Sequence, residues 1–210
     1  MGIAERKERE KQHRREEIIN AAEEVFFSKG FEKSTMDDVA EKAELSKGTL
    51  YLYFKSKEDL HMAVARKAIH LLRNYTANAS DGKGTALEKL GQLVRACIEF
   101  SRSHPDHMKA IMTLEEVEPK SISLSTSDVQ DMIYNESTVG AVIQIVEQGV
   151  LEKLIRSDIP VALVAHTLWM SVLGVIRFVS TRESLLQMLN LSADELYQSH
   201  FELVLNGIRS

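Results

Sequence analysis

The sequence has little cysteine or proline and lacks the common catalytic motifs. Cys97 is the only cysteine among 210 residues, so an intrachain disulfide is excluded and a reducing compartment, the cytoplasm, is expected. Only three prolines interrupt the chain, which leaves long stretches free of helix breakers. The first residues are charged and do not form the apolar core of a signal peptide. No nucleophile elbow, paired catalytic carboxylates or cofactor loop is present, so we expect neither an enzyme nor a bound cofactor.

Charge is distributed unevenly along the chain. The formal net charge of −5 does not by itself indicate a nucleic-acid-binding protein. The first fifteen residues nevertheless carry more basic than acidic side chains. The basic ones are Arg6, Lys7, Arg9, Lys11, Arg14 and Arg15, and the acidic ones are Glu5, Glu8 and Glu10. Such a basic arm can contact phosphates within an acidic protein, whereas the alternative is a frayed, solvated terminus.

Apolar residues recur at helical spacing almost throughout, and the alternation typical of strands is scarce. This pattern predicts an all-α protein of nine helices. The first helix is expected over 8–29. A seventh is expected over 126–152 and an eighth from a cap at Asp158. Ser192 and Glu195 form the capping box of a ninth.

Residues 160–179 form an apolar run that is long enough to cross a membrane. Pro160, His166 and Arg177 interrupt this run, and neither a second span nor clear anchoring flanks accompany it. A helix that is apolar on all sides in a globular protein is buried on all sides. We therefore predict a buried helix and no membrane partner, with membrane contact as the alternative.

Residues 34–60, STMDDVAEKAELSKGTLYLYFKSKEDL, predict two short helices joined by a tight turn near Glu44 and Leu45, the layout of a helix-turn-helix. Several apolar residues are expected to form its small core: Met36, Val39, Ala40, Ala43, Leu45, Leu50 and Phe54. Others at the second helix and its start are expected to be exposed: Ser46, Lys47, Gly48, Thr49, Tyr51, Leu52 and Tyr53. Small and hydroxyl-bearing side chains there can approach bases and phosphates closely. The alternative is a helical subdomain without a DNA-binding role.

The segment 14–62 resembles the tetracycline-repressor (TetR) family of bacterial regulators. The residues that match the family at its spacing are Thr35, Val39, Ala40, Ala43, Gly48, Thr49, Leu50, Tyr51, Phe54, Lys57 and Leu60. The rest of the chain matches only in its arrangement of helices. The resemblance implies an N-terminal three-helix helix-turn-helix domain over 1–56. It also implies a larger C-terminal helical domain over 57–210, which binds an effector and forms a homodimer through its last two long helices.

The resemblance further implies roles for individual residues. It implies phosphate contacts by Thr35, Tyr53 and Lys57. It places three residues nearest the bases: Lys47, Gly48 and Thr49. Tyr51 would touch the DNA backbone or a base edge. The expected partner is a palindromic operator in double-stranded DNA, because the two reading heads of a dimer need two half-sites.

Three positions depart from the family pattern. Glu44 occupies a turn position where the family usually has glycine, so a positive φ there would cost on the order of 1 kcal/mol. Asp37 stands where a base-reading arginine or a polar residue is more usual, and its carboxylate suits the first turn of a helix better than base reading. Leu52 replaces a polar residue and could touch a thymine methyl group or pack at the edge of the DNA.

The C-terminal part carries methionine and aromatic residues on helices that line the effector cavity in the resembling family. The candidates are Phe100, Met108, Met112, Met132, Tyr134, Trp169 and Met170, together with His166. Such residues most often form a core, but they also suit an adaptable apolar pocket for a hydrophobic or amphipathic effector. An acidic loop over 115–125, with Glu115, Glu116 and Glu118, is expected to be solvated, and the alternative is that it attracts a cationic effector.

His104 and His107 lie one helical turn apart and are a weak metal signal, so we expect no metal site. The helix-turn-helix pattern predicts a DNA-binding transcriptional regulator. The family resemblance implies that it is a repressor in most cases and that its operator affinity changes when a small molecule binds. The alternative is a helical ligand-binding or protein-interaction module without sequence-specific DNA binding. The fourth helix has no internal glycine or proline and is predicted to transmit the effect of the ligand.

Overall fold

The computed structural model describes residues 2–113, 128 and 131–210. These residues form two compact units. The first holds the described residues up to Ala68 and a short piece that begins at Lys109, and the second holds Ile69–Met108 and the described residues from 128 onwards. Helices and turns, without a sheet, make up the described part of the chain, which confirms the all-α fold. The domain boundary predicted between 56 and 57 is not tested by this division and stays a prediction.

The first unit consists of a three-helix head, the beginning of a fourth helix and the described residues Lys109–Thr113. Its helices are α1 (Ile3–Lys29), α2 (Met36–Lys42), α3 (Lys47–Tyr53) and the first part of α4 (Lys57–Asp81). Its core joins apolar side chains of all four: Ile18, Ala22, Val25, Phe26, Met36, Val39, Ala40, Leu50, Phe54, Leu60 and Val64. The small core predicted for the helix-turn-helix is confirmed, although Ala43 and Leu45 are only partly buried.

Side-chain caps set the beginnings of the short helices. The Thr35 hydroxyl accepts a hydrogen bond from the N–H of Asp38 at 3.1 Å, and the Asp38 carboxylate accepts one from the N–H of Thr35 at 2.9 Å. These two bonds form a capping box at α2. Ser46 caps α3 by accepting from the N–H of Thr49 at 3.1 Å.

α1 begins earlier than predicted, because charged side chains one turn apart support its first turns. Arg6 pairs with Glu10 at 3.2 Å, and Arg14 pairs with Glu17 at 2.8 Å. Exposed pairs of this kind stabilise a helix by only about 0.2–0.5 kcal/mol each. The basic N-terminal arm is therefore helical, and part of its positive charge is already paired.

The second unit contains longer helices and one π-helical turn. Its elements are the end of α4, α5 (Ala86–Ser103), the first residues of α6 (Pro105–Thr113) up to Met108, the π-helical turn Met132–Glu136, α7 (Thr138–Leu151), α8 (Val161–Thr181), α9 (Glu183–Met188) and α10 (Ala193–Ile208). The short helix α9 was not predicted. α8 packs against α7 and α10, and α5 packs against α7.

The helix predicted over 126–152 is interrupted at Ser137. The backbone of Ser137 is extended, with φ −99° and ψ 169°, and its hydroxyl accepts from the N–H of Val139 at 3.1 Å. Gly140 permits this arrangement, because a Cβ at that position would lie 1.9 Å from the carbonyl oxygen of Tyr134. The start of this predicted helix lies outside the described residues, as do most of the predicted loop 115–125 and its acidic residues Glu115, Glu116 and Glu118.

α8 begins after Pro160 rather than at a cap provided by Asp158. A proline disfavours helical backbone at the residue before it, so the helix cannot easily start sooner. Asp158 instead pairs with Arg156, with Nη2 and Oδ2 2.5 Å apart. The predicted capping box of Ser192 and Glu195 is present at the beginning of α10.

α8 is long and apolar enough to cross a membrane by length and composition, with a mean hydropathy of 1.7 over its most apolar window. One stripe along the helix is buried in the unit: Val164, Ala165, Leu168, Val172, Leu173 and Ile176. Another stripe is exposed: Leu163, Met170 and Phe178. Within a single chain, the prediction of a helix buried on all sides is therefore wrong, because only the first stripe is buried and the second is exposed.

Candidate nucleic-acid interface

The turn between α2 and α3 sets the geometry of the helix-turn-helix. Glu44 has φ 55°, in the left-handed region that favours glycine. The N–H of Leu45 then donates to the carbonyl oxygen of Ala40 at 2.8 Å, which closes the end of α2. The predicted tight turn is confirmed, and it places backbone strain at a charged residue.

α3 presents one face to the core and another to solvent. Leu50 is fully buried and Phe54 almost so, whereas Leu52 has 82% of its surface exposed. The exposed members of the predicted DNA-contacting set are Thr35, Ser46, Lys47, Gly48, Tyr51 and Leu52. The partly buried members are Thr49, Tyr53 and Lys57. The predicted residues thus lie around the solvent side of α3 and at the beginnings of α2 and α4.

Three of these residues use their hydroxyl groups within the protein. The Thr35 hydroxyl donates to Oδ2 of Asp38 at 2.9 Å. The hydroxyl oxygens of Ser46 and Thr49 lie 2.8 Å apart, so one donates to the other. One hydroxyl hydrogen of that pair therefore stays available to a phosphate oxygen.

Lys47 is engaged by an acidic side chain from the neighbouring helix. Its Nζ lies 2.7 Å from Oδ1 and 3.0 Å from Oδ2 of Asp37. The hydrogen bond from Lys47 to this carboxylate raises the pKa of Lys47, so the ammonium keeps its charge. Asp37 lies in the first turn of α2, as its sequence position suggested, but its contact with Lys47 was not predicted.

Lys57 holds the segment between α1 and α2. Its Nζ donates to three carbonyl oxygens, those of Phe31 at 3.0 Å, Ser34 at 3.2 Å and Glu32 at 3.4 Å. The ammonium also lies 4.3 Å from the centre of the Phe31 ring. A phosphate would compete with these contacts, so the contact that the resemblance implies for Lys57 stays a prediction.

Two further contacts around the head were not predicted. Lys29 Nζ lies 2.6 Å from Oδ1 of Asp38. This bond, with those from Thr35, lowers the pKa of Asp38 to about 2. The guanidinium of Arg15 lies 4.7 Å from the centre of the Phe54 ring. Both contacts join residues from different helices, so no local spacing rule reveals them.

The residues predicted to line an effector pocket have different environments. Four are buried in their units: Phe100, Met108, Met112 and Met132. Met112 belongs to the first unit and the others to the second. Tyr134 and Met170 are exposed, and the ring of His166 lies 5.8 Å from that of Tyr134. Trp169 is the one of the eight that lines a narrow cavity within the second unit.

That cavity has a volume of about 20 Å³ and is almost wholly apolar. Its walls come from α5, α7, α8 and α10, and they include Leu90, Leu93, Val142, Leu168, Trp169, His200, Phe201 and Leu205. Nε2 of His200 is buried without a hydrogen-bond partner among the described residues, and burial lowers the pKa of His200. A cavity of this size holds about one water molecule, so a larger ligand must move side chains. The apolar residues at helical spacing on α10, which include Phe201, Val204 and Leu205, could have indicated that α10 contributes to these walls.

His104 is part of an aromatic cluster. Its ring stacks on that of Phe100 with 4.9 Å between centres, and the ring of His107 lies 5.9 Å away. Within the described residues, no group of three His, Cys, Asp or Glu side chains is placed to hold a metal ion.

Known proteins similar to this chain are transcription regulators. A family model described as bacterial regulatory proteins of the tetR family matches residues 18–64. The repressor KstR2 of Mycolicibacterium smegmatis is 29% identical over 200 residues, which cover 93% of this chain and 90% of that protein. The fatty acid metabolism regulator protein of Bacillus subtilis is 32% identical over 108 residues, which cover 51% of this chain and 55% of that protein.

Solved structures show the same fold. FadR of Bacillus subtilis, in complex with stearoyl-CoA, has a TM-score of 0.68 and 21% identity, and the match covers 91% of this chain and 98% of that one. A regulator of the TetR/AcrR family from Thermobifida fusca has a TM-score of 0.64 and 24% identity, covering 94% of this chain and 100% of that one. The resemblance to the TetR family is confirmed, because the family model matches residues 18–64 and a relative that covers most of the chain is a named transcription repressor. The chain is a helix-turn-helix transcription regulator, and these matches favour this function over the interaction-module alternative.

Proposed function

We propose that the chain is a homodimeric cytoplasmic repressor that binds a palindromic operator through α3. A hydrophobic small molecule in the second unit changes its operator affinity. The observation that carries the proposal is the exposed face of α3, where Tyr51 and Leu52 project from a helix anchored by buried Leu50 and Phe54. The major groove of B-DNA admits a helix of this kind, and its thymine methyl groups offer apolar contacts to Leu52.

An exposed apolar stripe supports dimerisation. Met170, Gly174 and Phe178 recur at helical spacing on α8. Apart from its chain neighbours and its own helix backbone, no atom of the described residues lies within 4 Å of a Cβ built on Gly174. Leu203 on α10 is 73% exposed. A second copy that covers these residues would remove apolar surface from water and allow close approach at Gly174. It would also supply the second reading head for a half-site roughly 34–36 Å away.

The apolar character of the cavity supports a hydrophobic effector. Polar groups contribute almost nothing to its surface, and Trp169 forms part of the wall. The FadR relative was solved with stearoyl-CoA, and KstR2 of Mycobacterium tuberculosis is described as a ketosteroid regulator. We therefore propose a ligand with a long aliphatic or polycyclic apolar part. Its entry would enlarge the cavity by displacing side chains, and this displacement couples binding to conformation.

Selection from a pool of random-sequence DNA duplexes tests the DNA-binding part of the proposal. The expected result is enrichment of a palindromic sequence whose binding weakens steeply with salt. Tyr51→Ala is expected to bind the enriched duplex less tightly while it unfolds like the parent. If no sequence is enriched, the alternative of an interaction module is correct and the proposal fails.

Stearoyl-CoA titrated into the protein tests the effector part. Trp169 is the only tryptophan, so its fluorescence reports on the cavity without interference. The expected results are a saturable change in that fluorescence and an altered affinity for the enriched duplex. The duplex must then alter stearoyl-CoA affinity by the same factor. An unchanged signal with stearoyl-CoA and with a ketosteroid would contradict the proposed effector class and leave DNA binding intact.

A further inference from the structure

Asp37 and Lys47 join the beginnings of α2 and α3 on the exposed surface of the head. Both side chains remain accessible, with exposed fractions of 64% for Asp37 and 58% for Lys47. Nζ of Lys47 contacts both carboxylate oxygens, at 2.7 and 3.0 Å. A donor and an acceptor are thus presented side by side, next to exposed Gly48, which has no side chain to block an approaching surface.

This pair changes the charge of the reading head. α2 and α3 contain two lysines, and each is ion-paired: Lys42 with Glu24, and Lys47 with Asp37. Lys57 at the beginning of α4 donates to backbone carbonyl oxygens. Affinity for DNA of any sequence comes from cations that neutralise phosphates. The lysines of α2 and α3 therefore contribute little to non-specific binding while their partners hold them.

The chemistry of the pair distinguishes a phosphate from a base edge. A phosphate presents only acceptors, so it attracts Lys47 and repels the carboxylate of Asp37. In the major groove, guanine presents two acceptors, N7 and O6, and the paired cytosine presents the N4 amino donor beside them. Lysine donates to guanine and aspartate accepts from cytosine N4. A C·G base pair can therefore satisfy both members of the pair at once.

We propose that Asp37 and Lys47 act together to read a C·G base pair in the major groove, and that Asp37 restrains Lys47 from binding phosphates. This inference rests on the proposed DNA-binding function. An A·T base pair fits less well, because adenine N7 and thymine O4 lie on opposite sides of the adenine amino group and Lys47 then has a single acceptor next to that donor. Asp37 is thereby a specificity-determining residue at a position where the sequence suggested only a helix-terminal charge.

The first test compares sequences that the parent, Asp37→Asn, Lys47→Met and Glu41→Gln proteins select from random duplexes. Glu41 is exposed on α2. Glu41→Gln therefore raises the net charge by one, as Asp37→Asn does, but leaves the pair of Asp37 and Lys47 unchanged. The parent and Glu41→Gln are expected to select one C·G position in each half-site by roughly tenfold or more, the range of a good base contact. Asp37→Asn and Lys47→Met should both lose that preference and keep the others.

The second test measures binding to a duplex that lacks the selected sequence, across a range of salt concentrations. Asp37→Asn frees Lys47 to neutralise one more phosphate, so the slope of log K against log salt should steepen by about 0.9. Glu41→Gln should leave the slope close to that of the parent. Thermal unfolding of each variant checks that the head is folded.

The outcomes separate the two proposals. If the parent enriches no sequence, the proposed function itself fails. If the parent enriches a sequence but Asp37→Asn keeps every base preference and the parent salt slope, the regulator stands and this inference is overturned. Loss of preference at an A·T position would show that the pair reads a base but that the assignment to C·G is wrong.

Discussion

The two units differ in how completely they bury their own apolar side chains. Within the described residues, twelve large hydrophobic side chains are exposed, and only Tyr51 and Leu52, both on α3, belong to the first unit. The other ten belong to the second unit, and they include Leu163, Met170 and Phe178 on α8. The first unit buries its large apolar side chains except for Tyr51 and Leu52 on α3. The second unit leaves an apolar surface that a single chain does not cover.

The largest expected effect comes from charges placed on that surface. Met170→Glu and Leu203→Glu should each convert the dimer to monomers, because a carboxylate would lose its hydration in the proposed interface. Operator affinity should fall at least tenfold, since a monomer presents one head. Sedimentation at micromolar concentration measures the first effect and titration of the enriched duplex the second.

A matched control keeps this test specific. Leu151 at the end of α7 is 83% exposed but lies outside α8 and α10, so Leu151→Glu should leave the dimer intact. Val172 and Ile176 are unsuitable positions, although they lie on α8, because they are buried within the unit and their substitution would disturb folding. A parent protein that sediments as a monomer would contradict the proposed interface.

The same difference explains what the sequence could predict. The head was predictable because short-range signals agree: Thr35 and Ser46 cap two helices, and Leu50 and Phe54 occur at the spacing of a buried face. Its ion pairs were not, because Asp37 meets Lys47 across a turn whose side-chain geometry no local pattern specifies. The sequence signal for this ion pair was Asp37 itself, because an aspartate departs from the family pattern at that position.

In the second unit, periodicity predicted helices but not their neighbours. Tyr134 and Met170 are of the residue types that suit an apolar pocket, yet the side chains of both are exposed. At the break near Ser137, Gly140 allows the carbonyl oxygen of Tyr134 to approach closely, which a periodic apolar pattern cannot reveal. Which helical face meets which neighbour is a tertiary property, and it determines the cavity walls.

A smaller effect is expected in the first unit, where Lys57 and Tyr51 should behave differently. Lys57→Met removes hydrogen bonds from a charged donor to three carbonyl oxygens, and such bonds contribute about 1.5–3 kcal/mol each where they are well formed. Because Lys57 is only partly buried, we expect a loss near the lower end, on the order of 1–2 kcal/mol in the free energy of unfolding. Tyr51→Ala should change stability by less than about 0.5 kcal/mol.

Lys55 provides the control for Lys57. It is an exposed lysine two positions earlier, so Lys55→Met removes the same charge without removing the carbonyl contacts. Urea unfolding measures stability, and titration of the enriched duplex measures affinity. If Lys57→Met and Lys55→Met unfold alike, the three carbonyl contacts do not stabilise the head, and the role of Lys57 is limited to DNA.

The smallest effect concerns two strained turns, one chosen from each unit. Glu44 after α2 has φ 55° and Lys153 after α7 has φ 58°. A side chain in this region costs about 1–2 kcal/mol, while glycine costs about 0.5–1 kcal/mol in chain entropy. Glu44→Gly and Lys153→Gly should therefore each stabilise the protein by up to about 1 kcal/mol. Glu44→Ala and Lys153→Ala keep the Cβ and should give no such gain.

These variants also test whether the two units unfold together. Trp169 belongs to the second unit, so its fluorescence follows that unit, whereas far-ultraviolet circular dichroism follows the helices of both. If the units unfold independently, Glu44→Gly shifts only the part of the dichroism transition that fluorescence does not detect, and Lys153→Gly shifts the fluorescence transition. If they unfold as one, either variant shifts both signals equally. Equal stability of the glycine and alanine variants would show instead that neither turn stores appreciable strain.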